Sequence, residues 1–321
     1  MKEYLDIAKN CLENGTPSDN RTSIKTIRIP WGATFQHDMS NGFPLLTTKK
    51  MGLKNISTEL EFFINGFTDK KWLQDRNCHI WDEWATIKKW EPIYDNALKV
   101  VSDSNEINIT PEFKQSLQNT ITNATRDLGP IYGWQWRHFG GEYKWNPDYP
   151  NLNYNVAETA AYGKDQLANV IETAKKDPNN RRLIVSAWNP KDQWQMALPP
   201  CHIMHQILIH DGKIHLIWTQ RSCDIFLGVP YNIASYAMLL LLYAKELGYK
   251  PGILRGELHD VHIYENHIDQ VKEQLSRTPY KLPTVEIPDE NWNGMLKWHA
   301  DGGFKLKDYI CHAAIKGAVA R

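Results

Sequence analysis

The stretch from Tyr231 to Ala244 constrains this chain most: 14 successive residues in which only Asn232 and Ser235 break the apolar and aromatic character. A bilayer crossing takes about 20 apolar residues, so a run of this length reads as a helix buried within a protein, over 232–247. Such a helix needs neighbours on every side. RRLIVSAW at 181–188 reads as a strand, and MHQILIHDGKIHLIWTQRS at 204–222 as a hairpin turning at Asp211-Gly212. A helix over 165–176 ends at Asp177-Pro178, a short strand covers 258–264, and a helix begins at Glu265. Upstream, 3–13 has helical spacing up to Gly15, 24–37 reads as strands bent at Pro30 and Gly32, and 53–65 reads as a helix ending before Gly66. The expected class is α+β, a mixed or antiparallel sheet with helices packed on it.

The 321 residues give ample chain for a large core, and no repeat or flexible linker divides them. We expect one domain, 1–321, with polar, weakly periodic insertions at about 86–127 and 141–163. Lys plus Arg equals Asp plus Glu at 37 each, which argues against a protein that coats nucleic acid by charge. Cys11, Cys78, Cys201, Cys223 and Cys311 are few, odd in number and widely spaced. They suggest neither a disulfide scaffold nor a metal site, and a reducing cytoplasm suits them. The opening MKEYLDIAKNCLENG is amphipathic, so no leader and no membrane anchor is expected. There is no glycine-rich phosphate loop.

Several groups of residues carry possible chemistry. In LPPCH, 198–202, two prolines stiffen the approach to Cys201, and His202 follows it. A cysteine becomes a nucleophile as a thiolate beside cations or hydrogen-bond donors, and Arg221, across the hairpin, could supply one. A small buried thiol at a strand end is the other reading. In QRSCDIFLGVPYN, 220–232, Gln220, Arg221, Ser222, Asp224 and Asn232 crowd a strand-to-helix turn. Arg221 offers a planar fork for phosphate or carboxylate, and Asn232 a donor beside an acceptor, matching the N3–H and O4 edge of uracil. Arg181 and Arg182 are adjacent, so on a strand they face opposite ways: one could reach a partner subunit, or both could be solvated at a strand start. His262 and Tyr264 share a strand face and suit a sugar hydroxyl, while His267 lacks the company a metal site needs. Glu59 on an apolar helix could move a proton, and Trp81 and Trp84 could floor a flat ligand or simply pack the core.

Taken together, NRT (20–22), NGFPLLTTKK (41–50), IWDEWA (80–85), DLGPIYGWQWRHFG (127–140), NNRRLIVSAWNP (179–190), MALPPCH (196–202), QRSCDIFLGVPYNIASYA (220–237) and HIYENH (262–267) resemble the thymidylate synthase family, in its order and nearly end to end. The resemblance implies a mixed sheet packed by helices, with one sheet face forming a homodimer interface. It implies transfer of a one-carbon unit from 5,10-methylenetetrahydrofolate to C5 of dUMP. Cys201 would attack C6, Asn232 would read uracil, and Glu59, Tyr132 and His202 would order water and move protons. The phosphate would sit among Arg21, Arg221 and Ser222, with Arg181 and Arg182 donated by the other subunit. Gln220 would complete the substrate site, and His262 and Tyr264 would hold the ribose. Trp81, Trp84, Asp224, Leu227, Gly228 and Tyr231 would line the folate pocket, closed by the tail AIKGAVAR with Ala320. No metal and no obligatory nucleic acid is implied.

Some positions depart from the family's pattern. SIKT follows Arg21, Gly52 stands near the folate tail, Glu61 takes an apolar place, Met204 and His205 take aromatic ones, His259 replaces a glycine, and the sequence ends in Arg321. Several of these resemble the pyrimidine hydroxymethylases of the same superfamily, in which water captures the exocyclic methylene. A hydroxymethylase acting on dUMP is therefore the alternative. A cytidylate enzyme fits Asn232 less well, and a non-catalytic nucleotide- or RNA-binding relative fits the retained Cys201 and zero net charge less well.

Overall fold

A computed structural model describes residues 1–20, 22–85, 125–144 and 163–319, with 99, 110–112 and 115–116 between them. The two insertions fall largely outside these residues, and Arg21, Ala320 and Arg321 fall outside them altogether. The helices are α1 (Lys2–Asn14), α2 (Leu53–Ile64), α3 (Lys70–Gln74), α4 (Tyr132–His138), α5 (Gln166–Lys176), α6 (Gly228–Leu247) and α7 (Ile268–Ser276). The strands are β1 (Thr16–Ser18), β2 (Thr26–Ile29), β3 (Ala33–Asp38), β4 (Ile184–Ser186), β5 (His202–His210), β6 (Lys213–Gln220), β7 (Cys223–Asp224), β8 (Lys250–Leu258), β9 (Val261–Tyr264), β10 (Thr284–Glu286) and β11 (Lys305–Lys307).

Five strands form the main sheet in the order β3-β8-β6-β5-β4, and a second sheet runs β1-β2-β9-β7. Both are mixed: β6 pairs with β8, and β7 with β9, in parallel, among antiparallel neighbours. This is the expected α+β class. The apolar run lies in α6, which packs on β6, β8, α2 and α5 and buries residues around its whole circumference, including Ile233, Met238, Leu240 and Tyr243. Gly248, left-handed at φ 74°, ends it.

Two expectations need correcting. The strand expected over 181–188 is only Ile184–Ser186, and Arg181 and Arg182 lie in the turn before it. Asparagine and aspartate shape that turn: Asn180 Oδ1 accepts from Arg182 N at 2.9 Å, and Asp177 Oδ1 from Asn179 N at 3.2 Å. The strand expected over 258–264 is two strands, the end of β8 and then β9, joined through Asp260 at φ 42°. β8 lies between β3 and β6, yet KPGILRGEL reads as broken by Pro251, Gly252 and Gly256. Space explains the glycines. A Cβ on Gly252 would meet the His215 ring at 2.7 Å, and one on Gly256 would meet Trp218 at 2.4 Å. These residues let large rings of β6 lie against the next strand.

Candidate active site

Cys201 stands where the Leu198–Pro200 approach enters β5, half-buried and next to an irregularity between His202 and Met204. Such bulges re-aim side chains. Arg221 N donates to Cys201 O at 2.8 Å, closing the open end of the β5–β6 hairpin. The Arg221 guanidinium then turns back on the same loop: Nε donates to Pro200 O at 2.8 Å and Nη2 to Pro199 O at 3.0 Å. It also lies 5.5 Å from the Trp188 ring. Two of its five N–H donors are thus used in holding the loop, and three are left for an anion. Backbone carbonyls thus hold the Arg221 guanidinium against the loop that carries Cys201.

Tyr132, at the start of α4, accepts from Cys201 N at 2.7 Å. Its ring stacks on His202 with centroids 4.1 Å apart, and His202 Nδ1 meets Tyr236 Oη at 2.8 Å. Burial, helped by His205 nearby, drives the basicity of His202 down to about 3. It is therefore a neutral imidazole at pH 7, able to donate and accept but not to carry charge.

Asn232 lies in the second turn of α6, and a relay fixes its amide. Trp218 Nε1 donates to Gln220 Oε1 at 3.2 Å, and Gln220 Nε2 donates to Asn232 Oδ1 and to Ser222 O, both at 3.0 Å. Asn232 thus points its oxygen toward Gln220 and keeps both Nδ2–H donors. Asp224 holds the turn into α6 by accepting from Phe226 N at 3.0 Å and Leu227 N at 3.2 Å. Gly228, at the first position of that helix, and Leu227 are half-buried.

Glu59 on α2 accepts from Trp81 Nε1 at 2.8 Å. The residue keeps some surface open, but its carboxyl group is desolvated, which raises it to about 7, against the Trp81 hydrogen bond that lowers it. That value suits proton transfer near neutrality. Glu59 and Cys78 in turn help burial to raise the Tyr231 hydroxyl, which places Tyr231 by the same carboxylate. Trp81 also meets Tyr132 edge-on, with centroids 6.1 Å apart. Trp81 is buried and Trp84 half-buried.

His262 and Tyr264 stand edge-to-face on β9 with centroids 5.2 Å apart. His262 Nδ1 donates to Asp260 O at 2.8 Å, which leaves Nε2 as an acceptor for a hydroxyl. Arg181 and Arg182 are exposed. Arg21 and Ala320 are outside the described residues. The rest of the tail is folded down. His267 Nε2 donates to Ala318 O at 2.8 Å, Arg277 Nη1 to Ala313 O at 2.7 Å, and a Cβ on Gly317 would meet Phe226 at 2.6 Å.

Lys49 was not singled out from the sequence. It is buried, 3.8 Å over the Phe226 ring, and donates to Phe226 O. Burial lowers its ammonium to about 8, partly opposed by Asp224. It lies within TTKK, but a lysine beside another lysine gives no sign of burial. Glu61, two residues from Glu59, is also buried, but it binds His299 Nδ1 at 2.8 Å and Ala300 N at 2.9 Å.

The thymidylate synthase family model matches residues 2–321. A thymidylate synthase of Listeria monocytogenes serotype 4b (strain CLIP80459) is 43% identical over 303 residues, covering 90% of this chain and 91% of the relative. One of Mycoplasma genitalium (strain ATCC 33530 / DSM 19775 / NCTC 10195 / G37) is 41% identical over 320 residues, covering 100% of both chains. With Cys201, Arg221, Tyr132 and Asn232 assembled at one hairpin end, this chain belongs to the thymidylate synthase family.

Proposed function

We infer that this protein is an enzyme that methylates dUMP at C5, with 5,10-methylenetetrahydrofolate as cosubstrate, giving dTMP and dihydrofolate. The observation that carries the reading is the loop at Cys201, with its carbonyls on Arg221 and its amide on Tyr132. C5 of a pyrimidine is a poor nucleophile. Addition of the Cys201 sulfur to C6 forms an S–C6 bond and moves the π electrons onto O4, so C5 becomes an enolate carbon. The Nδ2–H groups of Asn232, oriented by Gln220, donate to that oxygen as its charge grows. Loss of the C5 proton and expulsion of Cys201 later restore the ring.

Glu59, poised near neutrality, exchanges protons at O4 and C5 through ordered water, with Tyr132 and the neutral His202 as hydrogen-bond relays. The spare donors of Arg221, with Ser222 and Arg21, receive the phosphate, and His262 and Tyr264 the ribose hydroxyl. When bound, the folate supplies the carbon and the hydride. A flat pterin fits a wall of Trp81, Trp84, Leu227, Gly228 and Tyr231, and Asp224 Oδ2 is left for its ring nitrogens while Oδ1 holds the turn into α6. Ala320 and the tail before it exclude water. The hydroxymethylase alternative is not favoured: Glu61, the carboxylate that suggested a wetter pocket, is bound to His299 and Ala300.

A homodimer completes the site. The outer face of the main sheet carries Ile184, Met204, Leu208, Ile217 and Ile253, all at least partly open. Arg181 and Arg182 stand at that sheet's edge with exposed guanidiniums, free to reach a second copy's phosphate site. We read residues 1–321 as one catalytic domain, since a continuous core runs from Tyr4 to Ala300. The five cysteines form no disulfide, as suits a reducing cytoplasm. Among the described residues, no helix is long and apolar enough to cross a membrane.

Product analysis tests the reaction. With dUMP and methylenetetrahydrofolate, mass spectrometry should find dTMP and dihydrofolate in equal amounts. 5-Hydroxymethyl-dUMP with tetrahydrofolate would replace this conclusion by the hydroxymethylase one.

A further inference from the structure

Lys70 opens the five-residue helix α3, yet it is only 7% exposed. Lysines are rarely buried without acceptors. Its Nζ lies 3.0 Å from Trp84 O, 3.1 Å from Ala85 O and 3.4 Å from Asp82 O. An ammonium has three donors and no acceptor, so these three carbonyls use all of it. Two of the carbonyls belong to Trp84 and Ala85. Ala85 has φ 55°, in the left-handed region that a residue with a Cβ seldom adopts. A charge reaching across from α3 thus gathers the carbonyls of this loop.

Both ends of this tether are anchored independently of the ammonium. At the base, Asp69 pairs with Arg126, Asp69 Oδ1 accepts from Lys71 N at 2.9 Å, and Lys70 N donates to Arg126 O at 2.9 Å. At the front, Asp82 accepts from Gln74 Nε2 at 2.8 Å and from His79 Nδ1 at 2.7 Å, and Trp81 is fixed by Glu59 at 2.8 Å. Burial lowers the Lys70 ammonium below the usual lysine range, partly opposed by Asp82 and Asp69. Trp84 N donates to Trp81 O at 3.1 Å, and the ammonium holds the carbonyls of residues 84 and 85 that follow.

We propose that Lys70 is a positioning residue for the folate cosubstrate: its ammonium, by gathering the carbonyls of residues 82, 84 and 85, sets where the Trp84 ring stands. The proposal rests on the reading of Trp84 as a wall of the folate pocket. It predicts an effect on one substrate and not on the other, because Cys201, Arg221 and Asn232 lie on other elements.

The test is steady-state kinetics of Lys70→Met with both substrates varied, beside equilibrium binding of dUMP alone. The KM for methylenetetrahydrofolate should rise about tenfold, a change worth about 1.4 kcal/mol and the size of a hydrogen bond to a charged group. The KM and Kd for dUMP should stay within about twofold. Lys70→Gln keeps two donors and should fall between, at about threefold, and it decides the matter where the methionine variant does not fold. Equal rises in both KM values, or an unchanged folate KM, would overturn the proposal. Wild-type protein that makes no dTMP from these substrates would instead overturn the function on which it rests.

Discussion

The two faces of α2 each present a carboxyl group sheltered from water, in opposite surroundings. Glu59 has one neutral donor, Trp81 Nε1, and a desolvated group raised to about 7. Glu61 has an imidazole on one oxygen and a backbone N–H on the other. A carboxyl group with a donor on each oxygen serves as a fastener; one given a single donor in a dry place keeps its proton up to near neutrality, which suits proton transfer. Two residues along a helix turn a side chain by about 200°, enough to take it from the Cys201 side to the loop at 299–300.

Exchange of the two roles by mutation is the sharpest way to break this contrast. Glu59→Gln keeps the acceptor for Trp81 but removes the titrating proton, so kcat should fall on the order of 10²–10⁴-fold with the fold retained. A loss under tenfold would remove Glu59 from proton transfer. Glu61→Leu should do the reverse. It leaves Ala300 N–H without its acceptor, so urea unfolding should show about 1–3 kcal/mol lost, while kcat and the product stay those of the wild type. Appearance of 5-hydroxymethyl-dUMP from that variant would show that Glu61 governs water in the site after all.

The pH dependence of stability sharpens the contrast further. The Glu59 group rises from 4.5 to about 7 on folding, so between those values the native state keeps a proton that the unfolded chain has released. Its contribution is complete below pH 4.5 and is lost as pH rises through about 7. Wild type should therefore lose stability relative to Glu59→Gln across that window, and parallel curves would contradict it. The smallest effect is expected at Gln220→Leu. Without its donor Asn232 is free to turn, and the KM for dUMP should rise by about three- to tenfold.

The site was more legible in the sequence than the sheet that carries it. LPPCH and QRSCD sit in two short strings, and the chemistry of thiol, guanidinium and amide follows from residue type. The Glu59–Trp81 and Gln220–Asn232 partnerships join residues 22 and 12 apart, and only the fold pairs them. β8 was missed because Gly252 and Gly256 look like breaks until the rings of His215 and Trp218 are in place beside them. Arg181 and Arg182 looked like the start of a strand because Leu183 to Val185 follows, but the hydrogen bonds of Asn180 and Asp177 hold them in a turn. Lys49 and Lys70 are not legible as buried, because nothing in a lysine's sequence context says that backbone carbonyls will surround it.

Addition of Cys201 to the pyrimidine is the step on which all the others turn, and the fate of the C5 hydrogen reports on it most directly. With dUMP tritiated at C5 and methylenetetrahydrofolate, the wild type should release tritium to water at the rate at which dTMP forms, and Cys201→Ala should release none above background while still binding dUMP. Tritium release by Cys201→Ala at the wild-type rate would contradict it.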